Sequence, residues 1–274
     1  MIMKNRFFVI VVAALLAAGS LNAQAPQKEA AFKDGEYLEF AVNYKVGIVN
    51  TDVATIAFTT RERTLRGTRV FSTTATAKTI SMYKWFFDLN DTYVSSLDAR
   101  TLQPLDLTVD LREGGYRFSN HQVYDWNAMT VTSSFRNHNK SNTNTVATMP
   151  LQPGFADPIA AYFDLRSINS AELVVGKPIY LDIVLDDTVR RMAITFQGRE
   201  EKMIRGTGRF KALKFKGQII TNTGESFKDG SEFTVWISDD SNKIPLYVET
   251  PIRVGSVRVR LTKYGSLKYP PGQL

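Results

Sequence analysis

Histidine is the first residue type to examine for catalysis, and the 274-residue chain has only two, His121 and His138. One histidine is enough for a Ser–His–Asp triad, but no Gly-x-Ser-x-Gly segment is present to hold a serine on a strand-to-helix turn. Cysteine is absent, which excludes a thiolate nucleophile, a thiolate zinc site, a disulfide framework and a lipoprotein anchored through cysteine. We therefore expect surface or structural roles for both histidines.

Carboxylates next to aromatic rings are typical of sugar-binding clefts, and the chain has one such group. Asp88, Asp91 and Asp98 flank the run Trp85-Phe86-Phe87. Two carboxyl groups facing each other across a groove would hydrolyse a glycosidic bond. The same pattern is typical of a β core beside a turn, and we favour that interpretation.

Two further segments resemble parts of cofactor or metal sites. Asp239-Asp-Ser-Asn242 offers oxygen ligands for calcium but lacks the glycine and distal glutamate of a calcium loop. Arg205-Gly-Thr-Gly208 lacks the third glycine of a dinucleotide-binding loop. Both are interpreted as turns, and the sequence predicts no cofactor and no metal site.

The net charge gives little support for a nucleic-acid partner. The formal charge is +7, from 34 basic and 27 acidic residues; removal of Lys4 and Arg6 with a signal peptide leaves 32 against 27, or +5. The densest basic group is Arg253, Arg258, Arg260, Lys263 and Lys268. Some of these residues alternate with valine and leucine, which indicates the solvent face of a strand. An anionic partner is the alternative.

The N-terminus has the pattern of a secretory signal peptide. Lys4 and Arg6 precede an apolar run over residues 7–18, and small residues lead to a cleavage site after Ala23. The run is shorter than the roughly 20 residues that span a bilayer. We expect an exported protein of the periplasm or outer cell envelope of a Gram-negative bacterium, with no transmembrane segment after signal removal.

Apolar and polar residues alternate along most of the chain, as in half-buried strands. The alternation is clearest over residues 38–46, 105–112, 179–185 and 257–261. Gly114-Gly115 and Asp186-Asp187 mark turns between strands. The pattern predicts an all-β protein of about 10 to 13 strands. These would form a large curved antiparallel sheet, as an open barrel or a sandwich.

One segment predicts a helix over about residues 157–168. Asp157 is a good N-cap and Pro158 a good first helical residue. Tyr162 and Phe163 fall at helical spacing after Ile159, so they share an apolar face. We expect the helix to plug or cover the concave side of the sheet. The predicted organisation is a polar leader (24–31) and a single β domain (32–269), with possible halves 32–150 and 175–269 joined by the helix.

The run Trp85-Phe86-Phe87 supports a binding hypothesis. On a strand, consecutive side chains point to opposite faces, so these three rings cannot all enter one core. Either both faces are covered, or one ring lines a groove or a partner surface. The predicted ligand or partner surface comprises Trp85, Phe86, Phe87, Tyr162, Phe163 and Trp236.

Segments near the start, middle and end of the chain resemble one family. They are residues 32–44, 157–166, 236–245 and 252–257, of which Trp236-Ile-Ser-Asp-Asp with Ile244-Pro245 is the most specific. Together they look like exported bacterial proteins grouped as domain of unknown function 3108, over residues 32–264. The resemblance implies a mostly β envelope protein and supplies no catalytic or ligand residues. The glutamine after the cleavage site resembles export signals of the Bacteroides group.

Three functions are compatible with these observations. The first is a non-catalytic envelope module that binds an apolar ligand or another envelope component on the concave face of the sheet. The second is a structural or assembly module that uses an exposed strand edge or aromatic patch. The third and least favoured is a hydrolase of envelope glycans.

Overall fold

The computed structural model of the protein describes residues 27–220, 232–252 and 255–274. The expected signal peptide and Arg253 of the basic group lie outside these residues. Among the described residues, no helix is long and apolar enough to cross a membrane.

Alternating sequence has produced strands nearly everywhere, and all of them belong to one sheet. The fifteen strands of the described chain are β1 Tyr37–Val46, β2 Val49–Leu65, β3 Thr68–Thr79, β4 Asn90–Asp98, β5 Pro104–Glu113, β6 Tyr116–Asp125, β7 Thr130–Asn137, β8 Thr145–Pro150, β9 Phe155–Ala156, β10 Pro178–Leu185, β11 Thr188–Ile204, β12 Gly208–Ile220, β13 Glu232–Ser238, β14 Pro245–Pro251 and β15 Ser256–Gly265. The predicted all-β class and curved antiparallel sheet are confirmed.

The order of the strands makes the sheet curl. It runs β8-β7-β6-β5-β4-β3-β2-β1-β15-β14-β13-β12-β11-β10-β9, and every pairing is antiparallel except β9 with β10. The two edge strands, β8 and β9, are consecutive in the chain and separated only by residues 151–154. Such a link spans less than about 20 Å, so the two edges must approach each other. The result is an open, barrel-like sheet.

Side chains fill the seam between the two edge regions. Tyr124 of β6 and Val131 of β7 pack with Leu151, which lies between β8 and β9, and with Val184 of β10. The Asn120 amide of β6 donates a hydrogen bond of 3.1 Å to Asp186, in the turn after β10. Side-chain contacts thus bring together two parts of the sheet that share no strand pairing.

The predicted helix is present as α1, Pro158–Arg166, with Asp157 as its N-cap. Burial extends beyond the face formed by Ile159, Tyr162 and Phe163, because eight of the nine residues are buried, among them Ala160 and Ala161. A helix inside a curved sheet meets protein on every side, so it has no solvent face. Small alanines let the backbone approach the sheet closely where a surface helix would carry polar residues.

Two local expectations are corrected. Residues 85–87 are not on a strand: they follow a 3₁₀ turn at Ser81–Tyr83 in the connection between β3 and β4. The polar stretch over residues 137–148, whose composition is typical of a loop, ends in the edge strand β8. As an edge strand, β8 pairs with a single neighbour, β7, in the described sheet. Its other side is exposed, and a polar sequence is tolerated there.

The main core gathers apolar side chains from both strand meanders and from α1. Tyr162 of α1 stacks on Phe58 of β2 at 5.0 Å between ring centroids. Phe163 packs against Phe32, which precedes β1, at 4.0 Å. The helix therefore ties the segment before the first strand to the concave face of the sheet.

Gly217 of β12 provides a test of this packing. A Cβ atom at Gly217 would lie 1.9 Å from the ring of Phe233, which is buried against it. We expect Gly217→Val to lower the free energy of unfolding by about 1–3 kcal/mol in urea titration, because the buried ring must move. Gly265→Ala, where no atom lies within 4 Å of the new Cβ, is the control and should be close to neutral. Equal effects of the two substitutions would contradict the packing.

Candidate functional site

Four exposed apolar side chains lie close together in the connection between β3 and β4, residues 81–88, which we call the aromatic loop. Trp85 is 83% exposed, Phe86 75%, Met82 72% and Phe87 39%. Consecutive aromatic rings exposed to water are unusual on a protein surface, so this loop is a candidate interaction site. Three of the six residues of the predicted surface, Trp85, Phe86 and Phe87, lie here.

Hydrogen bonds hold the aromatic loop in a defined shape. The Tyr83 hydroxyl lies 2.7 Å from the Thr51 hydroxyl of β2. Phe86 and Phe87 both donate their backbone N–H to the Tyr83 carbonyl, at 3.0 and 3.1 Å. At the end of the loop, Gly114 donates to the Asp88 carbonyl at 2.6 Å. The rings of Trp85 and Phe86 therefore project from a fixed backbone.

Ile48, in the tight turn between β1 and β2, extends this apolar surface. Successive antiparallel strands place the β1–β2 turn and the β3–β4 connection at the same end of the sheet, and the Thr51–Tyr83 contact joins them. Ile48 is fully exposed. We define the apolar tip as Ile48, Met82, Trp85, Phe86 and Phe87.

Lysines surround the apolar tip. Lys45 precedes the β1–β2 turn, Lys78 ends the exposed face of β3, and Lys84 lies within the aromatic loop; all three are exposed. The acid of the loop, Asp88, has its carboxylate 3.9 Å from the Lys84 ammonium group. The local charge is therefore positive.

The remaining residues of the predicted surface lie elsewhere. Tyr162 and Phe163 are each 1% exposed, inside the sheet on α1, so neither is accessible to a partner. Trp236 of β13 is 6% exposed on the outer face of the sheet. The six residues do not form one surface, because the helix that carries two of them faces the core on every side.

Trp236 belongs to the main core and also contacts polar and charged side chains. Its indole N–H donates to Glu200 at 2.6 Å, and the Lys202 ammonium group lies 3.6 Å from its ring centroid and 4.6 Å from that of Tyr247. Burial lowers the pKa of Lys202. The lysine stems cover the indole, and a cation–π contact compensates for part of the lost hydration.

At the end opposite the apolar tip, Arg166 is the centre of a buried polar network. Its guanidinium group donates two bonds to the Glu36 carboxylate, at 2.5 and 2.8 Å, and a third to the Asn242 carbonyl at 3.0 Å. It also donates to the Tyr162 hydroxyl at 3.0 Å. Burial alone would lower the pKa of Arg166, but Glu36 and Tyr162 outweigh it and raise the pKa.

This network joins three of the four segments that carried the family resemblance. Glu36 comes from the first segment, Arg166 from the helical one and Asn242 from the block that follows Trp236. The Asp240 carboxylate, considered above as a calcium ligand, accepts N–H bonds from Asn242, Lys243 and Gly272. The segments meet to build the core, and their polar atoms bind one another.

Two buried acids have raised pKa values. Burial raises the pKa of Asp157 to about 6, although Ser95 and the N–H groups of Ile159 and Ala160 oppose the shift. Burial likewise raises the pKa of Asp91 to about 6, opposed by the Arg112 N–H and by Glu113. Asp91 lies next to the aromatic loop but is fully buried, so it does not face a sugar-binding groove.

The histidines form two separate exposed pairs. His121 lies 3.0 Å from the Asp106 carboxylate, and His138 lies 2.9 Å from the Ser119 hydroxyl. Serine and aspartate therefore contact different histidines, unlike the three members of a triad. Within the described ranges, no cluster of three histidine or acidic side chains has the geometry of a metal site.

The basic group near the C-terminus is largely neutralised. Arg258 binds Glu249 at 2.8 Å, across the β14–β15 pair, and Lys263 binds Glu39 at 2.9 Å. The remaining described members are likewise ion-paired: Arg260 with Asp52 and Lys268 with Glu29. Cross-strand ion pairing explains the alternation of basic and apolar residues.

A small cavity lies beside the helix. A cavity of about 20 Å³ lies between β4–β6 and β10, next to Pro158 of α1. That volume matches about one water molecule, whereas small-molecule sites usually measure about 300–1,000 Å³.

The architecture defines a class of open, β-barrel-like sheet proteins whose concave side is filled by a helix. The chain belongs to the family described as Protein of unknown function (DUF3108), whose model matches residues 39–262. No curated protein matches it.

Two solved structures are similar. One is a β-barrel-like protein of domain of unknown function DUF1849 from Brucella abortus, 9% identical with a TM-score of 0.57, covering 87% of this chain and all of the other. The second, with a YmcC-like fold, is from Bacteroides fragilis NCTC 9343; it is 8% identical with a TM-score of 0.33, covering 87% and 99%. At such identity the first shows the fold alone.

Sequence reasoning missed the parts of the site that depend on proximity. Ile48 follows Gly47 in a two-residue turn, where a side chain has no core to enter, and this signal was available in the sequence. No local pattern shows that Glu36 and Arg166, separated by 130 positions, form a pair.

The Arg166–Glu36 pair can be tested by a double-mutant cycle. We expect Arg166→Met to lower the free energy of unfolding by about 3–5 kcal/mol, because it leaves a buried carboxylate without a partner. Adding Glu36→Gln should restore part of that loss. The exposed pair Arg112–Asp110 is the control and should show no measurable coupling. Additive effects at the buried pair would contradict the interpretation.

Asp157 should make stability depend on pH. The pKa of Asp157 is about 6 in the folded protein, above the ordinary value of 3.8, so folding favours the protonated carboxyl group. The resulting gain in the free energy of unfolding is complete below about pH 4 and is lost as pH rises through 6. We expect Asp157→Asn, which keeps an N-cap, to remove about 1 kcal/mol of this pH dependence in urea titrations between pH 5 and 7.5. Asp125→Asn is the control, because the Asp125 carboxylate also caps backbone N–H groups but is exposed. An unchanged slope in Asp157→Asn would contradict the assignment.

Proposed function

We propose that this protein is a non-catalytic, exported interaction module of the bacterial cell envelope and that it contacts its partner through the apolar tip. The observation that carries the proposal is the group of exposed apolar side chains on two adjacent turns at one end of the sheet. Export is supported by the signal-peptide pattern of residues 1–23.

The proposal assigns recognition to the outside of the sheet and not to its concave face. An apolar ligand held inside would have to displace α1, whose side chains pack against the sheet and whose Arg166 is bound to Glu36. The cavity beside the helix is too small for an acyl chain. The tip, in contrast, is exposed without any rearrangement.

The edge strand β8 favours a second candidate function, assembly by strand addition. Its only sheet neighbour in the described chain is β7, and Val146 on it is 65% exposed. An unpaired strand edge can accept another strand through backbone hydrogen bonds. The polar sequence and short length of β8 are typical of edges that resist such pairing, so the apolar tip is the stronger candidate.

Envelope association in the host tests the role of the tip. After osmotic lysis, we expect the processed protein to remain with the envelope fraction, and the double variant Trp85→Ser/Phe86→Ser to be released into the soluble fraction. The loop backbone does not depend on these rings, so the variant should keep the wild-type unfolding midpoint.

The matched control is Tyr180→Ser/Met203→Ser, which removes two exposed apolar side chains from β10 and β11. It should fractionate as the wild type does. If the tip variant and the control fractionate alike, the proposal is wrong.

A further inference from the structure

We propose that the partner of the apolar tip is an anionic phospholipid surface, with the rings of Trp85 and Phe86 inserted at the level of the headgroups. This inference rests on the proposed function, since it names the chemistry that the tip would contact. Three features of the tip carry it: its composition, its charged surroundings and its rigid support.

The composition suits a bilayer interface. The tip presents two aromatic rings in edge-to-face contact, Trp85 and Phe86 at 6.0 Å, together with aliphatic Ile48 and Met82. Tryptophan favours the boundary between headgroups and acyl chains, because its ring is apolar and its N–H is polar. The side chains project outward from turns and so form a protrusion, which can enter a fluid surface without a complementary pocket.

The charge around the tip favours anionic lipid. Lys45, Lys78 and Lys84 bring three positive charges, and Asp88 brings one negative charge close to Lys84. Long lysine side chains can lie along the inserted apolar surface while their ammonium groups reach lipid phosphates. Basic residues near an anionic membrane surface strengthen the binding of an apolar anchor.

The rigid backbone of the aromatic loop makes it feasible for a small apolar surface to insert into a bilayer. The hydrogen bonds of Tyr83 and of the loop backbone fix the loop before any contact, so little conformational entropy is lost on binding. The tip lies at one end of the sheet, and the Arg166 network lies at the other. Docking would therefore place the sheet end-on, with its strands pointing towards the bilayer.

Vesicle binding by the purified, processed protein tests the inference. We expect sedimentation with phosphatidylcholine vesicles that contain about 30% phosphatidylglycerol, weaker binding to phosphatidylcholine alone, and weakening by salt. Trp85→Ser/Phe86→Ser should lower the partition coefficient about tenfold or more. Tyr180→Ser/Met203→Ser should leave it unchanged.

Charge and depth are tested separately. Lys45→Ser/Lys84→Ser should remove most of the preference for phosphatidylglycerol, whereas Lys211→Ser, at an exposed position of β12, should not. Bromine-labelled acyl chains should quench the fluorescence of the wild type but not that of Trp85→Phe, because Trp236 is covered and Trp126 is half-buried.

Each outcome decides the matter. The lipid assignment would be overturned if the protein did not bind anionic vesicles at low salt. It would also be overturned if Trp85→Ser/Phe86→Ser bound them as strongly as the wild type. If vesicles fail while envelope association in the host still depends on the tip, the partner is a protein and the proposed function stands. If neither depends on the tip, both proposals fall.

Discussion

A charged side chain placed in the centre of a protein must find an opposite charge there, and Arg166 is held under this constraint. Its guanidinium group is fully buried and donates hydrogen bonds to Glu36, in the segment before β1, and to the Asn242 carbonyl, in the turn after β13. An unpaired charge at this depth costs several kcal/mol, so alternative arrangements of the sheet around the helix are penalised. The ion pair therefore specifies where the helix lies and how the ends of the meanders meet around it.

The filled interior is the reason that our proposal assigns recognition to the outside of the sheet. Open β-barrels often hold ligands on their concave side, but here α1 and its aromatic contacts with Phe58 and Phe32 occupy that side. The two ends of the sheet then differ in chemistry. One end holds the Arg166 network, in which polar atoms bind each other, and the other carries the exposed apolar tip with its lysines.

Hydrophobic periodicity, together with turn and helix-capping residues, was sufficient to predict much of the fold. Alternation located strands such as β1 and β10, and Asp157-Pro158 located the start of the helix, because these signals depend on neighbours in the chain. The complete burial of α1 was missed, since helical spacing cannot show what encloses a helix. Residues 85–87 were expected on a strand. Three consecutive aromatic residues show neither strand nor helix periodicity, and their exposure depends on the turn at residues 81–83, which the sequence pattern does not reveal.

The pairing of β1 with β15 has a consequence for how the chain acquires its shape. Tyr37 lies opposite Gly265, so the middle of the sheet joins segments from near opposite ends of the sequence. Every other pairing in the described sheet joins strands that are consecutive in the chain, so the β1–β15 pairing closes the longest loop and carries the largest entropic cost. During synthesis β1 can pair with β2 at once, but its pairing with β15 can form only after the last strand has been made. One edge of β1 therefore stays open until synthesis is nearly complete, and the centre of the sheet is the last part to be closed.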